Sequence, residues 1–259
     1  NKLGDLLKVK SDYQTALEKY KAARELAEKI GDIDDIAKSL RNISSILIRQ
    51  GNPKKALVNL NSIHKYFDDS NQKSLIPRIL NLIGMVCFEL KDFNQAIYNY
   101  NKGLEIAKAI NKINDKPALL HNLAEVYRKL RNFDIALNLY RESLEIANDL
   151  GDLTGKIICL KHIGYVYYNQ NDFSEALKYF KNAVILNKKI NNSDTYGDLY
   201  LNIGNAFRQL GLEPKAIIYY KKAKHHYLIN KSRNELKVQK LNKKMKELEW
   251  GIIEMLFLQ

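Results

Sequence analysis

Cysteine is nearly absent from the 259-residue chain, which has only Cys87 and Cys159, with no CxxC and no Cys/His ligand spacing. A disulfide framework and a zinc module are thereby excluded, and a reducing compartment fits better. Glycine (12) and proline (4) are too scarce for flexible linkers or low-complexity tracts. No uncharged apolar run approaches the ~20 residues a membrane span needs, and a signal peptide's charged n-region and apolar h-region are missing. The chain therefore reads as soluble and cytoplasmic. Its first residue is Asn rather than Met, as expected of an excised fragment. Catalytic signatures are lacking too: no P-loop, GxSxG, HExxH or GxGxxG occurs, so neither an enzyme nor a metal or cofactor is expected. The adjacent His225 and His226 would point ~100° apart on a helix, which disfavours joint chelation.

Charge is in excess of one sign, at +13, and it is unevenly placed. Residues 221–259 carry ten Lys/Arg against four Glu, or +6, leaving +7 for the other 220 residues. Such a basic end can attract nucleic-acid phosphate or an anionic membrane. A solvated face on a terminal helix is the plainer reading, and nucleic acid is not favoured as a partner.

What the chain has in abundance is self-similarity. Ala16, Ala56, Ala96, Ala136, Ala176 and Ala216 lie 40 residues apart without a slip. The same register aligns Tyr20, Leu60, Tyr100, Tyr140, Phe180 and Tyr220, and a small-residue column of Gly4, Ser44, Gly84, Ala124, Gly164 and Gly204. Within one unit, Leu120, Leu123, Ala124 and Tyr127 fall at i, i+3, i+4, i+7, and Phe133, Ala136, Leu137 and Tyr140 do the same. Each unit therefore holds two amphipathic helices, with the small residue placed where one helix must approach its mate closely. Asp12, Asn52, Asp92, Asn132 and Asp172 recur just before the second helix as N-caps, with Gln95 and Glu175 completing capping boxes. Pro53, Pro77, Pro117 and Pro214 all fall in predicted first turns, where a missing N–H costs least.

This column pattern resembles the tetratricopeptide repeat, most fully in "YLNIGNAFRQLGLEPKAIIYYKKA" (200–223), through Tyr200, Ile203, Gly204, Phe207, Ala216, Tyr220 and Ala223. The family's usual unit is 34 residues with a closing proline, whereas this unit is 40 residues and has none. The longer form resembles Pins-type adaptors and the repeat domains of bacterial regulators. The resemblance implies an all-α solenoid, a right-handed superhelix of about six helix pairs over 1–230, with repeats near 1–32, 33–72, 73–112, 113–152, 153–192 and 193–230. The first repeat reads as truncated in its first helix. Residues 231–259 supply a basic amphipathic helix, with Leu236, Leu241, Met245 and Leu248 on one side, which caps the array, and then an apolar tail. That tail packs on the last repeat, joins a further domain, or forms a homodimer.

In each first helix the residues opposite the buried stripe form what would be the family's concave, ligand-holding surface. The expected contacts are Arg41, Asn42, Arg78, Asn81, His121, Asn122 and Arg128, followed by Lys161, His162, Tyr165, Asn202, Asn205 and Arg208. Asn carries donors and an acceptor, so Asn42, Asn122 and Asn202, in one column, suit an extended peptide backbone. The basic residues suit an acidic or C-terminal carboxylate group. The functional expectation is a non-catalytic protein- or peptide-binding scaffold. Its alternatives are the sensing half of a bacterial regulator whose effector lies elsewhere, and nucleic-acid binding through the basic end. Cys87 and Cys159 read as buried structural thiols.

Overall fold

Twenty-residue spacing governs the backbone. The computed structural model describes residues 13–69, 73–229 and 231–257, and these hold twelve α-helices and no strand. In order they are α1 (Tyr13–Ile30), α2 (Ile33–Arg49), α3 (Pro53–Asp69), α4 (Ile76–Glu89), α5 (Phe93–Ala109) and α6 (Lys116–Lys129). They continue as α7 (Phe133–Asp149), α8 (Leu153–Asn169), α9 (Phe173–Ile190), α10 (Ser193–Gln209), α11 (Glu213–Ile229) and α12 (Lys231–Phe257). The even-numbered helices up to α10 are the first (A) members of their repeats and the odd-numbered ones the second (B). The truncated helix expected in the first repeat falls on residues 1–12, outside those described.

Most helices end on one residue in the left-handed region: Gly31, Gly51, Lys91, Asn111, Arg131, Gly151, Asn171, Asn191 and Gly211, all in one 20-residue register. The next residue's N–H then reaches back five positions, as in Asn52 to Leu47 (2.8 Å), Asp92 to Cys87 (2.9 Å) and Leu212 to Phe207 (2.9 Å). This Schellman closure satisfies otherwise orphaned carbonyls and leaves two or three residues between most successive helices.

Helix starts follow two designs. Asp92 and Asp172 cap their B helices by accepting from the N–H of Gln95 (3.1 Å) and Glu175 (3.0 Å), as expected. At Asn52 the side-chain amide instead donates to the Gln50 carbonyl, 3.2 Å away. Asp32, Asp152 and Asn192 cap A helices in the same way. Where that column holds Gln72 or Lys112, a 3-10 turn (Lys73–Leu75, Ile113–Asp115) leads in, and Pro77 or Pro117 occupies the first helical turn.

The chain forms two compact units, residues 1–143 and 144–259, the boundary falling within α7. In the first, α5 packs between α4 and α6, α3 between α2 and α4, and α2 touches α4 as α4 touches α6. In the second, α9 packs between α8 and α10, and α11 between α10 and α12. In three pairs the setting contact is small residue against ring. A β-carbon placed on Gly164 or Gly204 would lie 2.6 Å from the ring of Phe180 or Tyr220, and Gly84 abuts Tyr100 in the same way. A helices carry neighbours on several sides, so their buried arc is wider than the four-position stripe. Ile46, Val86, Val126, Val166 and Ala206 are no more than 1% exposed.

In α12 the buried stripe is Val238, Leu241, Met245 and Leu248, and Leu236 is 62% exposed, contrary to expectation. Residue 236 lies ~200° round the helix from 238 and cannot share its face. The positions that meet a B helix elsewhere are Lys240, Lys243, Lys244 and Glu247 here, as suits a helix that meets no such mate among the described residues. The packing or dimer contact expected of the apolar tail falls on side chains 251–259, outside those described.

Gly204→Val tests the pairing contact. Helix propensity alone makes Val the better residue, but overpacking against Tyr220 is expected to cost ~1–3 kcal/mol, read as a lower denaturation midpoint. Unchanged or raised stability would refute the contact.

Candidate functional site

On the A-helix face of the first unit, the expected residues meet around two recesses. Arg41, Asn42 and Asn122 line one of about 630 Å³, together with Ile48, Leu82, Met85 and Phe88. Arg41, Arg78 and Asn81 line a smaller one of about 220 Å³, beside Asp34 and Asp115.

Most of these side chains are held by the chain itself. Arg78 Nε donates to Asp115 Oδ1 at 2.7 Å, and its Nη1 pairs with Asp34, so one guanidinium joins residues of three repeats. The Arg78 bond and charge hold the Asp34 carboxyl below its ordinary range. Asn122 Nδ2 donates to Asn81 Oδ1 at 2.8 Å. Arg128 lies on Glu125 through two bonds, of 3.0 and 2.7 Å. Glu125 also accepts from the Tyr140 hydroxyl, whose pKa is pushed up by burial and then by the Glu125 charge. His121 stacks edge-on against Tyr140.

The second unit uses the same device. Tyr220 donates to Asn205 at 2.9 Å and Tyr227 to Asp198 at 2.6 Å, while Lys244 and Lys237 of α12 reach the same two acceptors at 3.0 and 2.8 Å. Burial, then the charge of Arg208, lowers the Lys244 pKa. Asn202 is only 7% exposed and its amide donates to Tyr165 Oη at 2.9 Å. Its column lies ~40° from the fully buried Val166 and Ala206 column, so it sits at the groove's edge. His162 stacks edge-on against Tyr165. Lys161 lines a recess of about 250 Å³ with Thr154, Thr195 and Asp198, and Arg208 is exposed.

B-helix rings therefore pass beneath the small residues of their A helices, and where they end in a hydroxyl with an acceptor above, they pin a groove side chain from below. Periodicity marks Tyr140 and Tyr220 as core, and they are at most 1% exposed; which groove residue each hydroxyl reaches is a matter of three-dimensional proximity. Asp34 and Asp115 are recess residues that the columns do not mark, and Ser44 and Tyr100, marked as core, line a recess as well. Among the described residues no cluster of His, Cys, Asp and Glu could hold a metal, and no helix is long and apolar enough to cross a membrane. Cys87 and Cys159 are both buried.

The tetratricopeptide repeat family model matches residues 1–67, 75–149, 115–184 and 156–224. Among solved structures, BtubC (BKLC) from P. vanneervenii is similar at 17% identity and a TM-score of 0.68, over 84% of this chain and 91% of that one. A signal-transduction ATPase with numerous domains and a tetratricopeptide repeat sensor, from Pyrococcus horikoshii, is similar at 20% identity and a TM-score of 0.71. That match takes in 96% of this chain but 40% of the ATPase. A Rap protein complexed with competence and sporulation factor is similar at 10% identity and a TM-score of 0.63, over 97% and 74% of the two chains. No curated protein matches the sequence.

Arg78→Met leaves the Asp115 carboxylate, whose side chain is 6% exposed, without its cation. The expected cost at pH 7 is ~2–3 kcal/mol. Because Arg78 lowers the Asp34 pKa, the pair's stabilisation is present above the unfolded carboxylate pKa of ~3.9 and fades as pH falls through the folded value. The gap between the denaturation midpoints of wild type and variant should therefore narrow as pH falls below the ordinary carboxylate pKa. A gap that stays constant with pH would contradict the assignment.

Proposed function

Because the chain belongs to the tetratricopeptide repeat family, we propose that it is a non-catalytic cytoplasmic scaffold that binds a protein or peptide on its A-helix face. Family membership supplies the fold, and the site supplies the argument. One observation carries the reading: Arg78, Asn81, Asn122 and Arg128 are fixed by bonds within the chain. A face held in one arrangement loses little entropy on binding, so its contacts are not offset by ordering costs. Arg41 and Arg49 are exposed and form no ion pair among the described residues, which suits a partner with an acidic or C-terminal carboxylate group. In the second unit Asn205, Arg208 and Tyr165 are the corresponding candidates, with Asn202 positioning Tyr165 from the groove's edge.

A second reading, the sensing part of a bacterial regulator, is favoured by the repeat sensor of the Pyrococcus horikoshii ATPase and by the factor-bound Rap protein. Both readings use the same face and differ in what lies beyond this chain. Nucleic-acid binding through the basic end draws less support, since Lys237 and Lys244 are engaged with Asp198 and Asn205.

The combined change Arg41→Glu and Asn42→Ala alters groove residues without touching the buried network. It is expected to lower partner capture from native lysate at least fivefold, with the thermal midpoint within ~1 °C of wild type. Capture equal to wild type's would move the binding surface elsewhere.

A further inference from the structure

The repeats obey a rule that one of them breaks. A B-helix tyrosine hydroxyl finds an acceptor one position beyond the small residue above it: Tyr140 has Glu125, and Tyr220 has Asn205. Above Tyr100 that position is Met85, whose thioether is a poor acceptor. Tyr100 is 1% exposed, lines the 630 Å³ recess and makes no hydrogen bond among the described residues. Burial, then the nearby Cys87 and Glu89, pushes its pKa up, so the phenol stays protonated and able to donate. Ser44, 4% exposed and lining the same recess, has a buried hydroxyl with no partner. Buried polar groups are rarely left in this state.

Resting on the peptide-binding reading, we propose that this recess is an anchor subsite for a tyrosine side chain of the bound peptide, with a carboxylate on a neighbouring residue. Leu82, Met85 and Phe88 supply apolar wall for the ring. The ligand's phenol, at once donor and acceptor, meets Tyr100 and Ser44 at the floor. Arg41 and Arg49 at the rim meet the flanking carboxylate; Glu89 is the one rim carboxylate opposing it, since Glu125 is taken by Arg128 and Tyr140. Recesses of about 300–1,000 Å³ with a few convergent polar groups are of the size that binds such groups.

The test uses two acetylated, amidated pentapeptides with tyrosine or phenylalanine between two glutamates, titrated into the full chain by NMR. The tyrosine peptide is expected to bind roughly tenfold more tightly, because a site with buried polar groups rejects the analogue that leaves them unpaired. In Tyr100→Phe, which copies the native Phe180, that preference should fall to about twofold or less with folding unchanged. Arg41→Glu should weaken both peptides. Equal affinities in wild type, a preference that survives Tyr100→Phe, or no binding of either peptide at millimolar concentration would each overturn the subsite. If these fail while partner capture still depends on Arg41 and Asn42, the groove reading stands without the subsite. If they succeed while capture does not depend on those residues, the recess binds such peptides and the partner captured from lysate engages another surface.

Discussion

The close approach of a small A-helix residue to a B-helix ring is the constraint on which the rest depends. With no side chain at Gly84, Gly164 or Gly204, the rings of Tyr100, Phe180 and Tyr220 lie directly against the backbone of the partner helix. That distance fixes how tightly each pair closes, and so where the next A helix can settle. It also sets how far a ring reaches. A tyrosine in that slot projects its hydroxyl toward the opposite side of the A helix, at Glu125 and Asn205, so the contact that builds the core also orders the groove.

Uniform turns make the constraint repeatable. Short closures in one 20-residue register bring most helices back at the same phase, even where the left-handed position holds Lys91 or Arg131 rather than glycine. Left-handed backbone at a residue with a β-carbon costs ~1 kcal/mol, which the two closing hydrogen bonds and the packing of each pair offset. Because backbone geometry repeats, differences among units are carried by side chains at matched positions. Asn122 reaches Asn81 and Asn234 reaches Asp194 across neighbouring A-type helices, 41 and 40 residues apart. Individuality resides in chemistry: Met85 stands where Glu125 and Asn205 stand in other repeats.

The array ends by the same logic. Helix α12 takes the place of another A helix through Val238, Leu241, Met245 and Leu248. Its would-be B-facing positions are lysines and a glutamate, which need water rather than a mate. Two of the lysines that make this end basic are drawn onto Asp198 and Asn205, and the Asp198 carboxylate offsets the charge of Lys237.

Fold class, the 40-residue unit, the helix pairs and the faces they bury are legible in the residue order, because 3.6-residue periodicity and turn chemistry are local and recur in every copy. The small-residue and ring columns match in the sequence alone, since only a glycine-like position lets two helices approach so closely. The column of Ile46, Val86, Val126, Val166 and Ala206 was equally visible as apolar, but its burial arises from neighbouring repeats rather than from its own pair. Only the tertiary structure decided which groove residues remain open. Arg78, Asn122, Asn202 and Asn205 all read as available, yet each is bonded to a side chain 15 to 41 residues away. Hydrogen bonds of that kind depend on side-chain reach between packed helices, and no spacing rule along one chain encodes it. The same is true of Tyr100, whose hydroxyl is left open by a methionine fifteen residues earlier.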